Sequence, residues 1–101
     1  MQAPDTWTEI IGQKRYSVEN SILIADDAYW DGHNYERRGR NKFLYMTANK
    51  NYFYFLRTQW EKERDGLYPI TKEEALNMWD ELPEKHVEFD EAFPGVEVED
   101  A

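Results

Sequence analysis

Residues 42–59, KFLYMTANKNYFYFLRTQ, restrict the fold more than any other stretch. Two runs of aromatic, aliphatic and β-branched residues flank the polar break Ala48-Asn49-Lys50-Asn51, a pattern that predicts one β-hairpin. In the first arm Phe43, Tyr45 and Thr47 alternate with Leu44 and Met46. In the second, Tyr52, Tyr54 and Leu56 alternate with Phe53 and Phe55. Both arms are therefore apolar on both faces. A strand with one wet face carries polar residues at every second position, so this pair belongs in the middle of a sheet covered on both sides. The remaining chain has to supply two covers.

One cover is written plainly. Thr71-Lys72-Glu73-Glu74 is a capping box, in which the threonine hydroxyl and the Glu74 carboxylate each satisfy an otherwise orphaned backbone N–H. Ala75, Met78, Trp79 and Leu82 then fall at i, i+3, i+4 and i+7 and form one apolar stripe, and Pro83 stops the helix. A helix over residues 71–82 is expected to lie across the sheet, with Trp79 in the core. Ahead of the hairpin, residues 7–11 and 14–18 flank Gly12-Gln13 and read as a first hairpin, in preference to a short helix capped by Thr6 and Glu9. Residues 21–25 are a short apolar run ending at Asp26-Asp27, hence a buried strand. Residues 28–41 show no sustained period and read as a loop entering an edge strand near 35–38, with a bulge at Gly39. Residues 60–66 form a charged loop, and residues 67–70 lead into the helix. The expected fold is α+β, a meander-like antiparallel sheet of four to six strands with one C-terminal helix packed on one face.

At 101 residues the chain has room for one core, which covers residues 1–93. Val87, Phe89, Ala92 and Phe93 are expected to dock on it, because two phenylalanines are poor surface residues, and residues 94–101 are expected to form an acidic, frayed tail. Net charge is −9, of which residues 84–101 carry −6. Cysteine is absent, which excludes disulfides, thiolate metal sites and cysteine nucleophiles and fits a reducing cytoplasm. No run of eighteen apolar residues and no basic-then-apolar leader occurs, so neither a membrane span nor a secretion signal is expected.

Several blocks taken together resemble a set of short bacterial and mobile-element proteins. Those proteins share a G-K-R-Y opening, an L-Y-x-T-x-x-G-x-Y-F hairpin, a W-x-G-E turn and a P-L-S-x-E-E-A helix start. The corresponding residues here are Gly12 to Tyr16, Phe43 to Thr47 with Tyr52-Phe53, Trp60 with Glu63, and Pro69-Ile70-Thr71 with Glu74-Ala75. The likeness spans about three-quarters of the chain through individually weak blocks. Lys50 stands where the hairpin of those proteins has glycine, and the glycine after Trp60 is also replaced. The resemblance implies the same fold and carries no activity or catalytic residue with it.

No motif for nucleophilic catalysis, phosphate binding or dinucleotide binding is present. Glu61, Glu63 and Asp65 would be the carboxylates of a small hydrolase, but alternating charge in a turn is more simply a solvated loop. Asp26, Asp27, Asp31, His33 and Glu36 offer oxygen and imidazole ligands, yet their spacing matches no named metal loop, and strand capping by Asp26-Asp27 explains them more economically. No metal and no cofactor is expected. Arg37, Arg38, Arg40 and Lys42 form the one basic cluster, interleaved with Tyr35 and Phe43, and would serve a single-stranded nucleic-acid binder. The acidic total argues against that, and charges on an edge strand also block sheet-to-sheet aggregation. The expected function is a non-enzymatic protein-binding or regulatory module, whose contact residues are Tyr29, Trp30, His33, Arg37, Arg38, Arg40, Trp60 and Glu63. Its first rival is an acidic decoy that imitates nucleic-acid phosphates. The partner expected is a protein, and the chain itself a monomer or a homodimer formed by strand addition.

Overall fold

A computed structural model describes residues 2–28 and 38–101. The described elements are, in chain order, β1 (Thr8–Ile11), β2 (Lys14–Ser17), β3 (Ile22–Asp26), β4 (Arg40–Met46), β5 (Tyr52–Thr58), β6 (Gly66–Ile70), α1 (Lys72–Glu81), β7 (Glu84–Lys85) and α2 (Phe89–Ala92). Strands β1 and β2 pair by themselves, and the other five make an antiparallel sheet in the order β6-β5-β4-β3-β7. The expected α+β meander is therefore present, with the central hairpin in the centre.

That hairpin pairs from Arg40 opposite Thr58 to Met46 opposite Tyr52. Its turn closes through Lys50 N–H to the Thr47 carbonyl (3.0 Å) and Thr47 N–H to the Asn51 carbonyl (2.8 Å). Lys50 takes a left-handed backbone (φ 64°), the conformation glycine adopts most easily.

Residues directly opposite in an antiparallel pair share a face. On one face Leu44, Met46 and Tyr52, with Ile24 and Ala25 of β3, meet Ala75 and Trp79 of α1, then Leu82, Ala92 and Phe93. On the other, Phe43, Tyr45, Phe53, Phe55 and Leu67 meet Tyr16 and Val18, with Trp7 and Ile11 packed at the margin. The β1–β2 hairpin is thus the second cover. Aromatic rings seal both interfaces: Trp7 sits edge-on to Phe55 at 4.8 Å, and Tyr52 stacks on Phe93 at 5.1 Å.

Helix α1 starts at the predicted capping box. Thr71 Oγ1 accepts from the Glu74 N–H (3.1 Å), and the Glu74 carboxylate accepts from the Thr71 N–H (3.0 Å). Its last turn contains no basic residue. Lys85 of β7 supplies the cation instead, donating to the carbonyls of Trp79 and Leu82 and lying 5.0 Å from the Trp79 ring centroid.

Three elements go beyond the sequence reading. Residues 66–70 are an edge strand and not merely a lead to the helix; Pro69 is tolerated there because an edge strand can dispense with one ladder donor. The two-residue β7 and the four-residue α2 are too short to give a periodic signal. Of the edge strand expected near 35–38, residues 35–37 lie outside the described residues, and Arg38 occupies a turn with φ 53°.

Candidate functional site

The loop between β5 and β6 is ordered by its own charges. Arg40, opposite Thr58, reaches Glu63 through two nitrogens, Nε to Oε1 at 3.0 Å and Nη2 to Oε2 at 2.5 Å. Thr58 Oγ1 donates to the same carboxylate at 2.6 Å. The hydrogen bonds from Arg40, then from Thr58, hold the Glu63 carboxyl below its ordinary range, and Glu63 in turn raises the Arg40 guanidinium. Asp65 accepts the Thr58 N–H at 2.8 Å and pairs with Arg57 at 3.5 Å. Trp60 donates its indole N–H to the Arg38 carbonyl at 2.6 Å and leaves half its surface exposed.

Of the sequence-predicted contact residues, the structure thus brings together Arg38, Arg40, Trp60 and Glu63. Tyr29, Trp30, His33 and Arg37 lie outside the described residues, as do Asp31 and Glu36. Arg40 and Glu63 are engaged with each other, and Glu63 and Asp65 each face an arginine, an arrangement suited to holding a loop. Asp27, a member of the acidic set that begins at Asp26, accepts from the Lys42 N–H (2.8 Å) and the Asn41 amide (3.1 Å), so it ties the end of β3 to β4.

Two further surfaces follow from the register. Helix α1 covers only part of its sheet face, and beyond it Tyr54 stacks on Tyr68 at 5.1 Å with the Lys42 ammonium 5.8 Å from the Tyr54 centroid. Burial, then Tyr68 and Glu74, push the Tyr54 hydroxyl upward. A cleft of about 450 Å³ also opens between the β1–β2 and β4–β5 turns, walled by Lys14, Arg15, Ser17, Asn20, Thr47 and Asn51.

The strongest electrostatic feature lies on the helical layer. Residues 72–101 hold eleven of the 21 carboxylates and two of the 12 lysines and arginines. They carry the whole net charge of −9, while residues 1–71 are balanced. Glu73, Asp80, Glu81, Glu88, Asp90 and Glu91 are all exposed. Among the described residues, the carboxylate–cation pairs with lysine or arginine are Arg40–Glu63 and Arg57–Asp65, neither of them on this layer. Sequence reading located the charge in the tail; the structure shows that α1 and α2 share it on one side of the sheet.

At the far edge of the sheet Asp26, Glu84 and His86 approach one another, with His86 Nε2 2.6 Å from Asp26 Oδ2. These are the described side chains placed to hold a metal ion. Sequence reasoning could not join Asp26 to two residues some sixty positions away.

No family model matches the chain, and neither does any curated protein or solved structure. No described helix is long and apolar enough to cross a membrane.

Proposed function

We propose that the protein is a non-enzymatic binding module that presents the carboxylates of its helical layer to a basic surface on a protein partner. The observation that carries this reading is the segregation of charge: the entire net charge sits on α1, α2 and the segments around them, with no salt bridge to lysine or arginine among the described residues. Exposed carboxylates on a packed layer keep their spacing, and a fixed array of negative charge is what a basic cleft built for nucleic-acid phosphates selects. The partner class is accordingly a nucleic-acid-binding protein, whose cleft this layer would occupy. A chain without cysteine suits the reducing cytoplasm where such partners work.

A second reading rests on the Tyr54–Tyr68 stack beside Lys42, since stacked tyrosines next to a cation are a platform for single-stranded bases. The two readings place the contact on different residues. Immobilised wild type is compared with a variant in which Glu73, Asp80, Glu81, Glu88, Asp90 and Glu91 are changed to the matching amides, and with Tyr68→Ala. Both variants leave the capping residue Glu74 in place. In host extract at low salt, wild type and Tyr68→Ala should retain the same basic protein, released by duplex DNA or by raised salt, and the amide variant should not. Equal retention by the amide variant, or retention indifferent to DNA, refutes the proposal.

A further inference from the structure

From the geometry at the β3–β7 edge we propose a binding site for one first-row divalent metal ion, with Asp26, Glu84 and His86 as its protein ligands. Strand β7 is short, but its alternation matters: Glu84 and His86 are two residues apart and so project to the same side. Antiparallel pairing sets Asp26 directly opposite Glu84, and the His86 N–H is anchored on the Ile24 carbonyl at 3.0 Å. One donor atom from each of the three lies within 4.8 Å of the others. The backbone therefore performs the assembly, and the side chains need only small rotations to converge.

The Asp26 carboxylate is the anchor. Its side chain is 6% exposed, and a carboxylate in such surroundings calls for a positive partner. No lysine or arginine pairs with it among the described residues. Its partners are the Ala28 N–H on Oδ1 at 3.0 Å and the His86 ring on Oδ2. Lys85, between Glu84 and His86 in sequence, is committed to the end of α1. Asp26 also acts on Tyr45, whose hydroxyl is pushed up to about 12 by burial first and by this charge second.

Two carboxylates and one imidazole form a donor set of intermediate hardness, suited to zinc or manganese, with remaining positions for water. Ligands about 2.1 Å from a tetrahedral ion stand about 3.4 Å from each other, so the histidine and aspartate, now 2.6 Å apart, must part by about 0.8 Å on loading. Two bonds to the ion then take the place of the contact between the two side chains. His86 has the freedom to do this: its side chain is 34% exposed, and it lines an open cleft with Trp79, Lys85, Glu88 and Glu91.

The test is zinc and manganese titration of the metal-free chain by calorimetry, with cobalt absorption as a spectroscopic readout and calcium as the comparison ion. One equivalent of zinc or manganese should bind at micromolar concentration and raise the melting temperature, with calcium much weaker. Glu84→Gln, on the half-exposed side of the site, should weaken binding at least about tenfold, and His86→Asn should abolish it together with the cobalt bands. Circular dichroism verifies that each variant is folded, and Glu84→Gln serves as the deciding variant should His86→Asn unfold. Absence of stoichiometric binding in excess metal, or binding that Glu84→Gln leaves unchanged, overturns the assignment. This outcome is distinguishable from that of the acidic-layer reading, because neither variant changes any of the six carboxylates tested there.

Discussion

Truncating Phe93 to alanine tests whether the chain beyond Pro83 belongs to the core. The ring is fully buried, stacks on Tyr52 at 5.1 Å, and meets Trp79 edge-on at 5.7 Å and Phe89 at 5.3 Å. The neighbouring Ala92 carbonyl accepts the Tyr52 hydroxyl at 2.6 Å, so α2 is held to the sheet by one buried hydrogen bond and this ring. A buried phenylalanine removes about 200 Å² from water, and truncation forfeits roughly two-thirds of that, or about 3 kcal/mol at about 25 cal/mol per Å². Incomplete collapse around the void brings the expected loss to about 3–5 kcal/mol. For a domain whose whole stability is about 5–15 kcal/mol, that lowers the melting temperature by more than about 12 °C. Urea unfolding followed by tryptophan fluorescence and circular dichroism reads the change, with Trp60→Ala as the surface comparison at below about 1 kcal/mol. A Phe93→Ala loss below about 1 kcal/mol with an unchanged denaturant slope would refute the packing, since no buried ring on three aromatic neighbours is that cheap to remove.

Other substitutions address single local features. Lys50→Gly should raise stability by about 0.5–1 kcal/mol in the same urea experiment, because the left-handed backbone at φ 64° strains any residue with a Cβ more than glycine costs in chain entropy. Thr71→Ala should lower it by about 1 kcal/mol through loss of the hydroxyl that caps the Glu74 N–H, with helicity falling in parallel. Glu19 governs part of the acid response: hydrogen bonds from Ser17, then Thr8 and the Trp7 N–H, lower its carboxyl to about 2. Its folded value lies below its unfolded one, so its contribution is complete above about pH 5 and disappears as pH falls toward 2. Wild type should therefore exceed Glu19→Gln in melting temperature at neutral pH and converge with it near pH 2; a constant gap across that range would contradict the assignment.

The contrast between what the sequence discloses and what it withholds follows the range of the interactions. Alternation on both faces of residues 43–56 marks a central hairpin, because each side chain reports its own burial to its immediate neighbours. The capping box at Thr71 and Glu74 is equally local. Pro69 conceals β6, since a proline reads as a break unless the strand is known to lie at an edge. Strand β7 has two residues and gains its identity only from pairing with Ala25 and Asp26. At the candidate surfaces the same rule holds. Aromatic and charged residues can be named from the chain, but that Arg40 is bound to Glu63, 23 positions later, depends on the register of β4 against β5. The approach of His86 to Asp26 depends on where β7 returns.

Charge placement separates the two sides of the molecule in a way that folding alone does not require. On the sheet side, two carboxylates of the β5–β6 loop have an arginine each: Glu63 has Arg40, and Asp65 has Arg57. On the helical layer, Asp80 and Glu81 occupy the last turn of α1, where the helix dipole disfavours anions, and the compensating cation is a single lysine borrowed from β7. A sequence tuned only for stability would place lysine or arginine in that turn and intersperse cations along α2. Leaving these carboxylates without a salt bridge to lysine or arginine among the described residues costs self-repulsion and yields a surface of predominantly one sign. Such a surface gains its return when a partner brings the opposite charge, and that balance, more than any exposed aromatic, is why the helical layer is the face assigned to binding.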